Sequence, residues 1–438
     1  MTTPDMQTYY IWTVGCQMNK ADSDRLESAL TQLGLKPTMA PKDADVIVLN
    51  SCVVRQGAED KVASMLGTLK PLKQQRPDRV VALMGCMVGP KPDGLQRRFP
   101  YVDVFMRPQQ YKPLLDLLGD RLGVDTEGCL TSFTPTRVSV TTYIPINHGC
   151  DKFCTFCIIP YRRGREVSRT VQELVREAEM LVERGVKEVT LLGQNVDSYG
   201  HDLPGAPDLA GLLAAVNAVD GLKRVRFLTS HPNDMSQRII QAVASLDKVC
   251  PHINLPFQAG DDAVLQAMRR GYTRDDYRRL VERIRAAIPN VSLATDVIVG
   301  FPGESDAAFQ RTLDLIEEVH FDKVHVAAYS TRPGTIAARQ MEDDVPPEEK
   351  KRRQEAVETL QEAVLTRINA RLLDTTTQVL VEGRDKGKWM GRNRNDKLVF
   401  FEDERDLMGQ LVDVRIEKTS PWSLQGVGGL RPPLIMSP

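Results

Sequence analysis

The sequence lacks the features of a membrane or secreted protein. No part of its 438 residues approaches the roughly 18 uninterrupted apolar residues that a membrane-spanning helix requires. The beginning of the chain, MTTPDMQTYY, contains no cationic stretch followed by an apolar core and a small-residue cleavage site, so it does not form a secretory signal. We therefore expect a cytoplasmic protein with no membrane partner.

Cysteine is scarce and the net charge is close to zero. Eight cysteines in 438 residues are too few for a disulfide scaffold. Lys and Arg total 57 and Asp and Glu total 58, so the formal net charge is −1 and any nucleic-acid surface must be local. A hydrophobic fraction of 42% and a charged fraction of 26% are ordinary for a globular chain. A chain of this length should form about two to four domains.

Three of the cysteines lie in one short loop. Cys150, Cys154 and Cys157, within HGCDKFCTFCIIP, are separated by three and two residues. Three thiolates in such a loop can bind three irons of a four-iron cubane and leave the fourth iron open to a substrate or cofactor. A zinc site completed by His148 is the alternative, although zinc ligands usually come from two separated segments and these would come from ten consecutive residues. His148 is more simply interpreted as a structural loop residue.

A second group of cysteines is scattered along the amino-terminal part of the chain. Apolar, β-branched runs alternate there with helical patterns, which predicts an open parallel α/β sheet. Cys16, Cys52 and Cys86 each follow the carboxyl end of a predicted strand, and the loops at that edge of a sheet converge. We therefore predict a second three-cysteine site, the alternative being unrelated buried cysteines. Cys129 and Cys250 lack such partners and are predicted to be packing residues.

From about residue 138, six further strand patterns alternate with amphipathic helices. Because a complete barrel has eight such units, we predict an open, partial (β/α)6 barrel. Polar loops leave the carboxyl ends of these strands and should surround the Cys150 loop. The candidate contacts to a cofactor or base in these loops, each alternatively a solvated rim residue, are Gln194, Asn195, Ser230, His231, Gln258 and Asp296.

A group of arginines follows the Cys150 loop directly. Guanidinium groups suit phosphate and carboxylate recognition, so these residues are candidate contacts to RNA or to a cofactor. Salt bridges on a barrel helix are the alternative. The group consists of Arg162, Arg163, Arg165 and Arg169.

The carboxyl-terminal part of the chain has a different pattern. A long charged segment, EKKRRQEAVETLQEAVLTRINARLL, predicts a helix whose EKKRR run is a solvated face. Short β segments then predict a small barrel. Lys388, Arg392 and Arg394 surround Trp389, and basic residues beside an aromatic stacking platform suit a flexible nucleic-acid strand. An ordinary charged β-hairpin is the alternative.

Several motifs carry a resemblance to a known family. HGCDKFCTFC, with Phe156 before its last cysteine, resembles the cluster loop of the radical S-adenosylmethionine enzymes, and VIVGFPGE resembles the adenine-contacting segment of that superfamily. Together with VGCQMN, LNSCVVR and LMGCM, these motifs make the chain similar to the methylthiotransferases over essentially its whole length. CIIPYRRGREVSR and GQNVDSYG look most like the branch that modifies isopentenylated adenosine in tRNA. The carboxyl-terminal segment resembles a TRAM domain, a small RNA-binding barrel.

The resemblance implies a domain organisation and a set of cofactors. The implied domains are a methylthiotransferase α/β domain at 1–135, a radical S-adenosylmethionine domain at 136–370 and a TRAM-like domain at 371–438. Two four-iron clusters are implied, one on the Cys150 loop and an auxiliary one on the amino-terminal cysteines. S-adenosylmethionine is the implied cofactor, with contacts from Phe156, Gly300 and Glu304 added to those of the rim loops.

The resemblance also implies a reaction and its partners. A 5′-deoxyadenosyl radical would take a hydrogen atom from carbon 2 of the adenine, the auxiliary cluster would present an exogenous sulfur, and a second S-adenosylmethionine would supply the methyl group. The implied partners are the anticodon stem-loop of tRNA, an external electron donor and a sulfur source, with the chain acting as a monomer.

Two other functions stay open at this point. The same chemistry could act on threonylcarbamoyladenosine in tRNA or on an aspartate of a ribosomal protein. A two-cluster electron-transfer or metal-binding module without radical activity belongs to a different class. The polar rim loops argue against that module, because electron transfer needs no substrate pocket.

Overall fold

Three structural units follow one another in the computed structural model, which describes residues 6–53, 56–126, 128 and 139–428. A five-stranded parallel sheet comes first, two three-stranded parallel sheets follow, and a closed five-stranded barrel ends the described chain. This order confirms the fold expected from the sequence. Among the described helices, none is long and apolar enough to cross a membrane. Cys250 is buried, as predicted, whereas Cys129 lies outside the described residues.

The amino-terminal sheet brings three cysteines to one edge. Its elements are β1 (Thr8–Val14), α1 (Gln17–Gln32), β2 (Lys36–Pro37), a 3-10 turn (Pro41–Asp43), β3 (Val46–Ser51), α2 (Gln56–Gln75), β4 (Val80–Gly85), α3 (Asp93–Arg98), β5 (Val104–Met106) and α4 (Lys112–Leu122). The strand order is β2-β1-β3-β4-β5, and every pair is parallel. Strands β3 and β4 are buried along their whole length, since helices cover both faces of such a sheet. Cys52 and Cys86 follow these two strands directly, and Cys16 precedes α1.

The central domain is a partial barrel of six parallel strands with a separate antiparallel pair of two-residue strands. Its elements are β6 (Thr141–Pro145), β7 (Asn147–His148), α5 (Ile159–Arg163), β8 (Val167–Ser168), α6 (Val171–Glu183), β9 (Glu188–Leu192), α7 (Leu209–Asn217), β10 (Arg224–Leu228), α8 (Gln237–Ser245), β11 (His252–Asn254), α9 (Asp262–Ala267), α10 (Arg274–Ala287), β12 (Ser292–Val299), α11 (Asp306–Val319), β13 (Lys323–Ala328), α12 (Ile336–Gln340) and α13 (Pro347–Ala370). The order is β6-β9-β10 in one sheet and β11-β12-β13 in the other. A parallel bridge between Val225 and Val249 joins β10 to the segment before β11. Strands β6 and β13 do not pair within the described chain, so the barrel is open there.

Helix α1 of the amino-terminal sheet packs on β6, the edge strand of the partial barrel. Met18 and Leu192 share an apolar cluster at this contact. Glu177 on α6 accepts hydrogen bonds from Arg25 of α1 at 2.7 Å and pairs with Arg169 at 2.6 Å. Arg169 therefore has the salt-bridge role that the sequence left as an alternative.

The carboxyl-terminal barrel buries its tryptophan. Its strands are β14 (Thr376–Asp385), β15 (Lys388–Asn393), β16 (Leu398–Glu402), β17 (Leu411–Thr419) and β18 (Leu424–Gly428), closed in the order β14-β15-β16-β18-β17. Trp389 is 3% exposed and lies in the apolar core. Its indole N–H donates to the carbonyl oxygens of Asp403 and Arg405 at 3.1 and 3.2 Å. The prediction of an exposed stacking platform at Trp389 is therefore wrong.

This barrel docks on the amino-terminal edge of the central strands. Arg226 of β10 forms an ion pair with Glu188 of β9 at 2.9 Å, and the two side chains are 4% and 5% exposed. The same guanidinium donates to the carbonyl oxygens of Asn393 and Arg394, at 2.7 and 2.9 Å, in the β15–β16 turn. One buried cation thus pairs with a carboxylate of the central domain and satisfies two backbone acceptors of the carboxyl-terminal barrel.

Two arginines predicted to contact RNA belong to this interface. The backbone carbonyl of Arg392 accepts a hydrogen bond from Arg224 at 2.6 Å, while its side chain donates to the carbonyl of Asp396 at 2.9 Å. The Arg394 side chain donates to the carbonyl of Val249 at 2.7 Å. The Arg394 contact holds the two domains together, which corrects the interpretation of Arg394 as an exposed nucleic-acid surface. The Arg392 side chain is 36% exposed, so its contact with RNA stays a prediction.

An Arg226→Ala substitution should loosen the carboxyl-terminal barrel. Removing the guanidinium leaves Glu188 buried without its cation, and breaking a buried pair in this way costs about 3–5 kcal/mol. Hydrogen exchange should become faster throughout β14–β18, and the thermal midpoint should fall. Arg238→Ala is the matched control, because Arg238 is 72% exposed in its ion pair with Asp208 and should change stability by less than about 1 kcal/mol. Equal exchange rates in the two variants would contradict this role of Arg226.

Candidate functional site: two cysteine trios

Cys150, Cys154 and Cys157 form what we call the central trio, in the loop between β7 and α5. The Gly149 N–H donates to Gln194 Oε1 at 2.8 Å, so Gln194 holds the loop backbone directly before the first cysteine. Thr155, between the other two cysteines, donates through its N–H and its hydroxyl to the loop that follows α9. The trio is thus fixed at the carboxyl edge of the barrel, as expected. Contact between Gln194 and a cofactor stays a prediction.

A buried arginine contacts the central trio. Arg270 is 5% exposed and donates to Cys154 Sγ at 3.4 Å, to the Tyr272 hydroxyl at 3.0 Å and to the Pro256 carbonyl at 2.9 Å. Burial raises the pKa of Cys150 to about 11 and that of Cys157 to about 12. The thiols are therefore protonated near neutral pH until a metal displaces the protons, and the positive charge of Arg270 offsets part of the negative charge that then develops.

Cys16, Cys52 and Cys86 form the amino-terminal trio. A hydrogen bond from Cys52, together with the charge of Arg163, lowers the pKa of Cys16 to about 6 although burial opposes the shift. Burial raises the pKa of Cys86, and the charge of Arg163 opposes that rise. The sheet topology therefore brings together three thiols that are 36 and 34 residues apart along the chain, as the sequence predicted.

Two asparagines that sequence reasoning missed frame this trio. Asn19 Oδ1 lies 3.2 Å from Cys16 Sγ, and its Nδ2 donates to Asn50 Oδ1 at 2.8 Å. Asn50 Nδ2 returns a hydrogen bond to the Asn19 carbonyl at 2.7 Å and donates to the Ser23 hydroxyl at 2.9 Å. Both side chains are buried. Their signal in the sequence was their place inside the cysteine motifs VGCQMN and LNSCVVR.

The short helix α5 joins the two trios. It begins two residues after Cys157, and Ile158 packs into the amino-terminal core beside Cys86. Arg163, its last residue, forms a 2.9 Å ion pair with Asp22 of α1, and both side chains are 1% exposed. Its Nε donates to Cys86 Sγ at 3.3 Å. Arg163 is therefore buried against a cysteine of the other domain, which corrects its interpretation as an RNA contact.

The two neighbouring arginines differ from Arg163. A β-carbon added to Gly89 would lie 2.2 Å from Arg162 Nη1, so the Arg162 side chain rests against the amino-terminal domain. Arg165 is 70% exposed in its side chain and pairs with Asp151 at 3.0 Å. RNA contact therefore stays a prediction that fits Arg165 better than Arg162.

The two trios suit cluster binding in their donor chemistry. Thiolates are the ligands that iron–sulfur clusters use, and the described cysteines form no disulfide. Within the described ranges, no three His, Cys, Asp or Glu side chains converge closely enough to hold a single metal ion. A cubane is bound differently, because each of its cysteines ligates a separate iron. The single-ion zinc site with His148 is accordingly not formed in the described part of the chain.

The rim of the barrel is linked to the central trio by an ion pair. Lys152 in the cysteine loop pairs with Asp234 at 2.7 Å, and Asp234 also accepts a hydrogen bond from Asn195 Nδ2 at 2.6 Å. Asn195 Oδ1 is buried without a partner among the described residues. An unsatisfied buried acceptor of this kind is available to a bound molecule, which supports Asn195 as a cofactor contact.

Ser230 and His231 lie in a buried part of the rim. Asp197 accepts hydrogen bonds from the Ser230 hydroxyl at 2.9 Å and from the His231 N–H at 3.1 Å. Burial raises the pKa of Asp197 to about 8 and lowers the pKa of His231 to about 2, so both are mostly neutral at pH 7. His231 Nδ1 accepts a hydrogen bond from the Asn233 N–H at 3.3 Å, so the neutral ring carries its proton on Nε2. Nε2 has no hydrogen-bond partner in the described structure, and it stays a candidate donor to a ligand.

Three rim residues with side chains adopt the left-handed backbone conformation. Phe153, Thr229 and Gln258 have φ angles of 49°, 74° and 69°. Such conformations cost of order 1 kcal/mol each and cluster at functional sites. Gln258 Oε1 is also buried and unpartnered among the described atoms, and Asp296 accepts from Asn254 at 3.2 Å. Contacts from Gln258 and Asp296 to a cofactor stay predictions.

The segment VIVGFPGE is tied to helix α13. Gly300 has a φ of 70°, and its N–H donates to Glu304 Oε2 at 2.5 Å. Glu304 is buried and pairs with Arg353 of α13 at 2.9 Å. Its carboxylate thus shapes this loop, and direct contact of Glu304 or Gly300 with a cofactor is untested. Phe156 meets Phe301 edge to face, with the ring centroids 6.5 Å apart.

Three family models match the chain. Residues 8–107 match the Uncharacterized protein family UPF0004, residues 144–316 match the Radical SAM superfamily, and residues 372–427 match the TRAM domain. These segments coincide with the amino-terminal sheet, the partial barrel and the carboxyl-terminal barrel.

Curated relatives match nearly the whole chain. A protein of Chloroflexus aurantiacus is 51% identical over 429 residues, covering 97% of this chain and 92% of its own length. A protein of Roseiflexus sp. is 52% identical over 430 residues, covering 97% of this chain and 90% of its own. Each is named tRNA-2-methylthio-N(6)-dimethylallyladenosine synthase.

Solved structures share the fold. The radical S-adenosylmethionine methyltransferase TsrM from Kitasatospora setae, with cobalamin and a 4Fe-4S cluster bound, has a TM-score of 0.57 at 15% identity and matches 76% of this chain and 77% of its own. The cobalamin-dependent S-adenosylmethionine radical enzyme OxsB has a TM-score of 0.51 at 11% identity, covering 82% of this chain and 56% of its own.

A Gly149→Ala substitution should disrupt the central trio alone. Gly149 has a φ of 77°, and an added β-carbon would lie 2.0 Å from the Arg165 carbonyl oxygen, so the loop before Cys150 cannot keep its path. Reconstituted protein should lose about half of its iron. Gly205→Ala is the matched control, because Gly205 has the same φ of 77° with nothing within 4 Å. Full iron content in Gly149→Ala would show that the loop tolerates the change.

Proposed function

Since the chain belongs to the family of tRNA-2-methylthio-N(6)-dimethylallyladenosine synthases, we propose that it methylthiolates carbon 2 of N6-isopentenyladenosine next to the anticodon in tRNA. The observation that carries the proposal is the junction of two cysteine trios through α5. Cys157 ends one trio, and Arg163 contacts Cys86 of the other only six residues later. A reaction that joins a sulfur atom to an activated carbon needs the two sites to be held in a fixed relation.

The cofactors that fit the site are two four-iron clusters and S-adenosylmethionine. Cys150, Cys154 and Cys157 would hold one cluster, which would supply the electron that cleaves S-adenosylmethionine, and Cys16, Cys52 and Cys86 would hold the other, which would supply the sulfur to be inserted. Gln194 and Thr155 hold the loop of the central trio in place. Arg270 places a positive charge against Cys154.

The rim residues are proposed contacts to S-adenosylmethionine or to the base. Support comes from a chain of contacts that starts at Cys154. Arg270 donates to Cys154 and to the Tyr272 hydroxyl, and the Tyr272 ring meets His231 edge to face, with the centroids 6.0 Å apart. The unpartnered Nε2 of His231 therefore belongs to a residue packed close to the central trio. Gln258, which also has an unpartnered atom, lies two residues after Pro256, whose carbonyl accepts a hydrogen bond from Arg270. The proposed set is completed by Phe156, Gln194, Asn195, Ser230, Asp296, Gly300 and Glu304.

The proposed reaction requires partners other than S-adenosylmethionine. The anticodon stem-loop of tRNA is the substrate, and an external electron donor and a sulfur source are required. We propose that the chain acts as a monomer in the cytoplasm, in three domains at 1–135, 136–370 and 371–438.

One assay tests the reaction. Anaerobically reconstituted protein should hold about eight irons per chain and, with a reductant, sulfide and S-adenosylmethionine, should methylthiolate isopentenylated tRNA but not unmodified tRNA. Mass spectrometry of digested nucleosides measures the product. The Cys16→Ala, Cys52→Ala, Cys86→Ala triple variant should hold about four irons and still cleave S-adenosylmethionine reductively, without product. Product on tRNA that carries threonylcarbamoyladenosine, and none on isopentenylated tRNA, would overturn the proposed substrate.

RNA contact is proposed at the tip of the β14–β15 hairpin. Arg384, Lys386 and Lys388 lie there, and the Arg384 guanidinium stacks 4.0 Å from the centroid of the Trp389 ring. Lys388 is 43% exposed in its side chain and pairs with the exposed Glu402 at 3.1 Å. An exposed pair of this kind contributes little, so the ammonium can exchange its partner for a phosphate.

A Lys386→Ala, Lys388→Ala double variant should bind tRNA more weakly at low salt. Each lost phosphate contact should lower the slope of log affinity against log salt by about one unit. Filter binding at several salt concentrations measures this slope. Lys112→Ala with Lys351→Ala is the matched control, since both lysines are exposed and in i,i+4 ion pairs elsewhere. An unchanged slope in the hairpin variant would remove the tip from the RNA surface.

A further inference from the structure

The Arg163 guanidinium has a hydrogen-bond donor left over. Its Nη2 donates to Asp22 Oδ2 and its Nε to Cys86 Sγ. Its Nη1 is buried and has no partner among the described residues. A buried donor on a permanently charged group is costly to leave unpaired, so a partner that is not part of the described chain is expected at this position.

The surroundings of Arg163 define the chemistry of that partner. The guanidinium carries a full positive charge at the amino-terminal trio, and Asp22 is the single carboxylate that contacts it in the described structure. The remaining contact is a sulfur atom. The charge of the guanidinium helps to lower the pKa of the Cys16 thiol and opposes the rise that burial causes in the pKa of Cys86, so it favours negative charge at this trio. A group bound beside it should therefore be an anion, and a sulfur-based one suits the thiolate ligands.

The arginine at the other trio is different. Arg270 also contacts a cysteine sulfur, but its remaining nitrogens donate to the Tyr272 hydroxyl and the Pro256 carbonyl. All three nitrogens of this guanidinium thus have hydrogen-bond partners within the protein. Of the two buried arginines that contact a cysteine sulfur, Arg163 is thus the one with an unpartnered N–H group in the described chain.

We propose that Arg163 is a positioning residue of the amino-terminal trio that donates its Nη1–H to an anionic sulfur, either a sulfide of a bound cluster or a sulfur ligand carried on it. This inference rests on the proposed function, because it assumes a cluster at Cys16, Cys52 and Cys86. A fixed positive charge stabilises the reduced form of a cluster, which carries one more negative charge. Arg163 should therefore raise the reduction potential of this cluster and leave the other cluster unaffected.

The test uses the full chain with Cys150, Cys154 and Cys157 changed to Ala, so that a single cluster is titrated. Arg163→Gln should make the reduction equilibrium at least about tenfold less favourable, a shift of about 59 mV to lower potential for one electron. Asp22→Asn, which removes the neutralising carboxylate, should shift the potential in the opposite direction. Arg163→Lys keeps the charge and should stay close to the parent. Redox titration followed by electron paramagnetic resonance measures all of these.

Arg25→Gln is the matched control, because Arg25 also joins the two domains through a carboxylate, at 2.7 Å from Glu177, without contacting a cysteine. It should not change the potential. Each titration is run with and without added hydrosulfide. A shift in both conditions identifies a cluster sulfide as the partner, whereas a shift that requires hydrosulfide identifies an external sulfur ligand.

Two results would overturn the inference. The first is an Arg163→Gln potential equal to the parent's in both conditions, which would leave Arg163 with a docking role alone. The second is a shift of the same sign in Arg163→Gln and Asp22→Asn, which would indicate general loosening of the interface. If Arg163→Gln binds no iron, the reduction potentials of the other two variants still test the inference. Arg163→Lys should match the parent, and Asp22→Asn should have a higher potential. Failure of the parent background to bind any cluster would instead overturn the proposed function.

Discussion

The buried ion pair between Arg163 and Asp22 is the interaction on which the relation of the two cysteine trios depends. Its side chains are 1% exposed, and it connects α5 of the central domain to α1 of the amino-terminal domain. Removing one member of such a pair costs about 3–5 kcal/mol, because the other charge stays buried without compensation. Since α5 begins two residues after Cys157, this pair fixes the central trio against the amino-terminal one.

The open barrel makes this docking necessary. Strands β6 and β13 are unpaired edges within the described chain, and an exposed edge invites pairing with other chains. Helix α1 covers β6 and helix α13 covers β13. The carboxyl-terminal barrel covers the amino-terminal ends of the strands through Arg224 and Arg226. The cysteines and the polar rim lie at the opposite, carboxyl edge of the strands.

Periodicity predicted the strands well, and it also predicted the sites of the cysteines. Parallel strands that alternate with helices place all their carboxyl ends at one edge of the sheet. The proximity of Cys16, Cys52 and Cys86 could therefore be predicted without any knowledge of side-chain contacts. The roles of the arginines could not be predicted in this way. A basic residue in a sequence does not reveal whether its partner is solvent, a phosphate or a buried carboxylate on another domain. The side chains of Arg163 and Arg394 both proved to be interface groups for this reason.

The burial of Trp389 could not be predicted from the basic residues around it either. Basic residues near an aromatic ring suggested a stacking surface, but alternation along β15 places this ring in the barrel core, where its N–H meets two carbonyls. The charge nearest to it, Arg384, lies over the ring and is exposed at the hairpin tip. The aromatic residue thus supports a cationic group instead of contacting a base itself. We propose that the cations at the hairpin tip contact phosphates, so that the barrel recognises RNA through its backbone while the rim beside the central trio discriminates the base.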